Sequence, residues 1–309
     1  MKNIENLLSS VPFFHNMNID IKNEYSDDPN PNCFLVSSKN DGMKYKVRIS
    51  VNEKESNVEK ELNVFKYLRK KGIKDISEIY HYNLDGNFHI LIYEYFEGIS
   101  LEKINNLTKY DFDIIISDLI IAIKEFRSLR HDRSGTFSET YDSWYDYFSY
   151  KMNEHLESKE SKLVFSPKEI FAIKQICKVF ENEMKNKQNF FIHYDIKPKN
   201  IIYNQVKKKA YLIDYELGRF GDSLMDLVRL RSFSMNNEYT NYFVNPILDY
   251  FNVDKTYGKN LFTLYLLYCY IIYHRYYYST FLDTKNPHHF DEAKKFKAKS
   301  REILLNYLW

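Results

Sequence analysis

Between Asn189 and Asp214 three short apolar runs, "NFFI", "NIIY" and "AYLI", are interleaved with His193, Asp195, Asn200 and Asp214. Short apolar runs bounded by polar residues read as buried strands. The first strand delivers His193 and Asp195 to the start of a loop that Pro198 stiffens. Asn200 follows on that loop, and "AYLID" carries Asp214 out of the core on a paired strand. Two carboxylates and one amide can therefore gather at one strand-end cluster. Hard oxygen donors of this kind suit Mg²⁺, which takes few protein ligands and completes its shell with phosphate and water. A carboxylate that is not a ligand can orient a hydroxyl and accept its proton. Phosphoryl transfer needs those two elements and little covalent chemistry. Any one of these residues alone reads as a hydrogen-bonded loop residue. Their joint spacing between apolar strands points to a site.

The surroundings divide into two characters. "IDIKNEY", "NCFLVSS" and "MKYKVRISV" read as successive strands, with Asp41-Gly42 as a hairpin turn before the third. A charged helix follows from about Glu53 to Lys71, with Leu62, Phe65 and Leu68 at helical spacing and Gly72 at its end. "SEIYHYNL" and "FHILIYEYF" form a second hairpin around Asp85-Gly86. After Gly98 the pattern turns helical. "YDFDIIISDLIIAIKEFRSLRH" is a long helix, and "SPKEIFAIKQICKVFENEMKNK" opens on a capping box of Ser166, Pro167 and Glu169.

Composition excludes several classes. The chain has 309 residues, 44% hydrophobic and 28% charged, which supports a sizeable core. A net charge of +2 is too balanced to indicate a nucleic acid or anionic membrane partner. Cys33, Cys177 and Cys269 are odd in number and far apart, which fits a reducing cytoplasm without a disulfide framework. The N-terminal "MKNIENLLSSVPFF" lacks the apolar core of a signal peptide. "LFTLYLLYCYIIY", from Leu261, is too short to span a bilayer and reads as a buried helix. A monomer or a homodimer is expected.

The pattern His193-x-Asp195-x-x-x-x-Asn200, followed by an apolar residue and Ile213-Asp214, resembles the catalytic segment of the aminoglycoside phosphotransferase and choline kinase superfamily, relatives of the protein kinases. "IDYELGRFGDSLMDL" is similar to that group's "IDWE…GDP…DL" continuation. The resemblance implies a bilobal protein-kinase-like α+β fold. Residues 1–97 would form a nucleotide-binding lobe, a small antiparallel sheet with one helix. Residues 98–309 would form a larger, mostly helical lobe with the catalytic loop and acceptor site. It implies Asp195 as catalytic base, with His193 in the same segment, and Asn200 and Asp214 as magnesium ligands. Lys197 echoes a protein kinase lysine that meets the transferring phosphate. Glu216, Asp222 and Asp226 match positions that shape and anchor the site.

The first hundred residues carry the resemblance further. "YKVRIS" resembles the family's "yvLRI" strand and puts Arg48 where phosphates need charge. Glu61, in "EKELNVFKYL", would pair with Arg48. Lys46 shares that strand face, so alternation does not separate the two cations. "LIYEYFEG" is similar to the hinge "llmEyleG", whose backbone at Glu94, Tyr95 and Phe96 would meet the purine edge. Two departures stand out. The loop "SDDPNPN" has no glycine, and its Asp27 and Asp28 are expected to face solvent, away from phosphate. The D-F-G and A-P-E segments of protein kinases are missing, which disfavours a protein substrate.

The implied activity is an ATP-dependent transfer of a γ-phosphate to a small-molecule hydroxyl, with GTP left open as donor. The acceptor pocket is expected among the helices after Leu227 and the segment Tyr141 to Tyr150. Trp144 and nearby tyrosines could box an ammonium group by cation–π contact. With 28 Tyr and 23 Phe in the chain, however, aromatic clusters arise as ordinary core. From Arg231 onward basic residues outnumber acidic ones, the wrong sign for a polycationic aminoglycoside. The ranking is choline- or ethanolamine-type acceptors first, aminoglycosides second, and a catalytically silent pseudokinase third.

Overall fold

The computed structural model describes residues 2–23, 33–51, 56–233, 240–254, 258 and 260–308. The expectations for the loop Ser26 to Asn32, and for the helix start at Glu53, lie outside the described residues. The chain opens with α1 (Lys2–Ser9), β1 (Ile19–Asn23), β2 (Cys33–Ser38), β3 (Lys44–Val51), α2 (Asn57–Lys70), β4 (Ile79–Asn83), β5 (Phe88–Glu94) and β6 (Ile99–Ser100). Next come α3 (Lys109–Ser128), β7 (Arg130–His131), β8 (Ser134–Gly135), β9 (Thr140–Tyr141), α4 (Trp144–Leu156), α5 (Lys159–Lys162), α6 (Pro167–Val179) and α7 (Glu181–Lys185). The catalytic segment lies among β10 (Asn189–Ile192), β11 (Ile201–Asn204), β12 (Lys209–Leu212) and β13 (Arg219–Gly221). The chain finishes with α8 (Leu224–Ser232), α9 (Asn245–Tyr250), α10 (Leu261–Thr284) and α11 (Pro287–Leu308).

Two compact units form, Met1–Ile104 with Lys199–Gly218, and Asn105–Pro198 with Arg219–Trp309. This differs from a single cut after residue 97. The physical reason is a three-stranded sheet in the order β12-β11-β6, which ties the later hairpin to the N-terminal residues. Gly98 makes that pairing possible: a Cβ there would lie 2.6 Å from the Tyr203 carbonyl oxygen.

The first unit is built on an antiparallel sheet in the order β1-β2-β3-β5-β4. Alternation on β3 sends Tyr45, Val47 and Ile49 to one face, where they meet Leu8, Val11 and Phe14 from the N-terminal segment. Lys46 and Arg48 therefore point to the other face, half-buried. Helix α2 is capped by Ser56, whose hydroxyl accepts the Glu59 N–H at 3.2 Å. Its buried stripe holds Leu62, Phe65 and Leu68 as expected, and also Glu61.

The second unit combines helices with a sheet of short strands in the order β7-β10-β13-β8-β9. The capping box of Ser166 and Glu169 forms, but α6 ends at Val179 and the chain restarts as α7. Helix α10 is buried continuously from Leu261 to Ile271. Trp144 is fully buried and fills the space over Gly221, where any Cβ would overlap its ring. The three cysteines are buried and free. Among the described residues no helix is long and apolar enough to cross a membrane.

One titration follows from this packing. A nitrogen of the Arg275 guanidinium lies 2.8 Å from His155 Nδ1. Burial, then that guanidinium, pushes the imidazole down to about 4. An unfolded histidine titrates near about 6.5, so between these values the unfolded chain binds the extra proton. The contribution is fully present above the unfolded value and is lost as pH falls toward the folded one, by up to about 3 kcal/mol. Melting midpoints should therefore drop on acidification from about pH 7 to about pH 4.5, and less steeply in His155→Gln. Identical slopes in the two proteins contradict this.

Candidate active site

In the first unit a single cation organises three acids. Arg48 Nη1 lies 3.2 Å from Glu61 Oε2 and 2.7 Å from Glu216 Oε2, and Nη2 lies 3.0 Å from Asp214 Oδ1. Burial disfavours the guanidinium's charge, but the Glu61 and Asp214 carboxylates outweigh it and hold its pKa well above the ordinary value. Burial also pushes the Glu61 carboxyl up; Arg48 opposes this, and Asp214 adds to it. Glu61 Oε1 accepts the Tyr215 N–H at 3.3 Å, and Oε2 accepts the Tyr93 hydroxyl at 3.4 Å. The expected pairing of Arg48 with Glu61 is thus present, and Glu216 joins it.

Asn200 and Asp214 arrive by strand register. Ile201 pairs with Leu212, and the Ile213 N–H donates to the Asn200 carbonyl at 3.0 Å. Both residues consequently stand at the same end of the β11–β12 hairpin. Asp214 has φ of 69°, a left-handed conformation uncommon for a residue with a side chain. Such strain persists where surrounding contacts over-determine it, here in part the Arg48 pair. Among the described residues no group of three or more His, Cys, Asp and Glu is arranged to hold a metal. One carboxylate and one amide at one hairpin end nonetheless fit an ion that takes few protein ligands. Glu94, Tyr95 and Phe96 line one pocket with Lys46, Ile202 and Asp214. The Phe96 ring stacks on Tyr211 at 4.2 Å. Lys46 and Arg48 share the strand face, and Arg48 makes the acid pairing described.

In the second unit β10 ends at Ile192 and the chain turns sharply. Tyr194 takes φ of 64°. Asp226 pins this turn: its Oδ2 accepts the His193 N–H at 3.0 Å and its Oδ1 the Tyr194 N–H at 2.7 Å. Burial pushes the Asp226 carboxyl up to about 6, against those two N–H groups. The Arg219 guanidinium lies 3.7 Å over the Tyr194 ring. The Asp195 N–H donates to His193 Nδ1 at 3.3 Å. Asp195 itself is held by two cations, Lys197 Nζ at 2.7 Å from Oδ2 and Arg229 Nη2 at 2.8 Å from Oδ1. Asp222 starts α8, accepting the Leu224 N–H at 3.0 Å and the Tyr265 hydroxyl at 3.1 Å.

Sequence reasoning missed Arg229. A signal existed in "DLVRL": an arginine one helical turn after Asp226, inside an apolar run. The aromatic cage needs correction. Trp144 is 0% exposed and its Nε1–H donates to Tyr265 at 2.8 Å, so it is core and offers no face to a ligand. The faces of Tyr194 and Tyr273 are already approached by the chain's own arginines.

Comparison with solved structures shows which fold this is. The chain covers 97% of itself and 98% of a thermostable mutant of aminoglycoside phosphotransferase APH(4)-Ia, at TM-score 0.70 and 13% identity. It matches a protein assigned as a fructosamine-3-kinase from Haemophilus somnus at TM-score 0.68 and 17% identity, over 97% of this chain and 96% of that one. It matches choline kinase LicA from Streptococcus pneumoniae at TM-score 0.63 and 15% identity, over 96% and 99%. The fold is therefore a bilobal, protein-kinase-like α+β fold. The chain belongs to the phosphotransferase enzyme family APH, whose family model matches residues 29–255. No curated protein matches the sequence.

Proposed function

We propose that this protein transfers the γ-phosphoryl group of ATP to a hydroxyl of a small molecule. The observation that carries the reading is Asp195, a carboxylate set between Lys197 and Arg229 on a loop pinned by Asp226. Asp195 takes the acceptor's hydroxyl proton. The hydroxyl oxygen forms its bond to the γ-phosphorus, the bond to the bridging oxygen breaks, and its electron pair leaves with ADP. His193 braces the base through the Asp195 N–H. Lys197 meets the transferring phosphate. Arg48, oriented by Glu61, supplies charge to the donor phosphates, and the backbone from Glu94 to Phe96 meets the purine edge. Asn200 and Asp214 would hold Mg²⁺, which when bound neutralises phosphate charge. The solved APH(4)-Ia relative binds AMP-PNP and hygromycin B, which supports a nucleotide donor and a small acceptor here. GTP carries the same triphosphate and is the alternative donor. A cytoplasmic location, where these donors are supplied, belongs to the same proposal.

Among acceptors we place choline- and ethanolamine-type alcohols ahead of aminoglycosides. "IDYE", Arg48 on the third strand and the absence of an acidic excess after Arg231 support that order. Trp144 no longer does. "GDSLMDL" favours the aminoglycoside reading. Steady-state kinetics with choline, ethanolamine and a kanamycin-type acceptor test the ranking. Turnover of choline or ethanolamine is expected; turnover of the aminoglycoside alone reverses the order. Nucleotide binding with no turnover of any acceptor favours the pseudokinase.

A further inference from the structure

The Arg229 guanidinium sits in an environment that packing alone does not call for. Its side chain is 5% exposed. Nη2 donates to Asp195 Oδ1, while Nε and Nη1 are buried without a hydrogen-bond partner among the described residues. A buried cation with unfilled donors destabilises a fold relative to an apolar residue of similar shape. The rings of Tyr273, Tyr194 and Phe233, at 4.9, 5.3 and 5.7 Å, offset this in part by cation–π attraction. What such a residue does that leucine could not is hold the carboxylate.

The two oxygens of Asp195 are held unequally. Oδ1 belongs to a guanidinium on α8, one helical turn after Asp226. Oδ2 belongs to Lys197, a flexible side chain 25% exposed. Helix α8 thereby fixes the catalytic turn twice, its backbone through Asp226 and its carboxylate through Arg229. We propose that Arg229 is a positioning residue for the base: it anchors Oδ1 and so assigns Oδ2 to the acceptor hydroxyl. Lys197 yields Oδ2 when the donor's phosphate draws it away. The inference rests on the reading of Asp195 as the base.

A double-mutant cycle on kcat tests it, with MgATP turnover to ADP measured on the acceptor panel and on water. Misplacing a reacting group by about 1 Å costs on the order of a hundredfold, so Arg229→Met should lower kcat by about ten- to a hundredfold. The KM for MgATP should stay within about twofold, because the lost contact does not touch the donor. Arg229→Lys, which keeps a charge and a donor, should fall between, and serves if Arg229→Met does not fold. In the Asp195→Asn background, removing Arg229 should change the residual kcat by less than about threefold. A merely structural arginine would act equally in both backgrounds, and equal effects overturn the inference. So does an unchanged kcat in Arg229→Met while Asp195→Asn is inactive. Wild-type turnover in Asp195→Asn, or none in the wild type, removes the base itself and this inference with it.

Discussion

Asp195→Ala should reduce turnover at least about a hundredfold while nucleotide binding survives. The loss follows from removing the group that takes the hydroxyl proton; Lys197 and Arg229, which pair with its two oxygens, are cations and cannot take over that role. The structure adds a second consequence. Alanine leaves the buried Arg229 guanidinium without its acceptor, and breaking a buried pair costs about 3–5 kcal/mol. Asp195→Asn keeps a carbonyl oxygen for Arg229. It should therefore lose turnover comparably but melt closer to the wild type. Calorimetry for nucleotide affinity, melting curves and initial rates separate these effects. An alanine variant with wild-type rates refutes the assignment.

Arg48→Met should be the most damaging substitution in the first unit. It leaves Glu61, Asp214 and Glu216 facing one another without the cation that joins them. Glu61 is fully buried, so the expected loss is about 3–5 kcal/mol, with nucleotide affinity lost as well. The raised Glu61 carboxyl can take up a proton and soften the blow. Adding Glu61→Gln to Arg48→Met should therefore recover part of the stability but none of the affinity. Arg48→Lys should recover part of both. Urea midpoints and calorimetric titration with MgATP provide the readouts; full affinity in Arg48→Met means that another cation, Lys46 first, serves the phosphates.

Much of this was legible because it is local. The capping box of Ser166 and Glu169, the strands on either side of Asp41-Gly42, and the spacing of His193, Asp195, Asn200 and Asp214 are short-range patterns with direct structural meaning. Arg48 against Lys46 was not separable by alternation, since a strand's period of two puts both on one face. The acids that hold Arg48 come from α2 and from the turn after β12, far along the chain. Arg229 was hidden for the same reason: its meaning depends on a contact 34 residues away. Trp144 misled because an aromatic-rich segment looks alike whether its rings line a pocket or fill a core. The two-residue strands β7, β8 and β9 carry too few residues to show any period. The assignment of Ile201 to Leu212 to the first unit arises from β6 pairing, which two residues and Gly98 could not announce.

The central claim is that a phosphoryl group leaves ATP and arrives on a small-molecule hydroxyl with Asp195 as base. Phosphorus NMR of the protein with MgATP and the acceptor panel observes that event directly. The account predicts a phosphate monoester resonance growing in equal amount to ADP, absent without magnesium and absent in Asp195→Ala. ATP left unchanged with every acceptor, or a monoester formed equally well by Asp195→Ala, would contradict it.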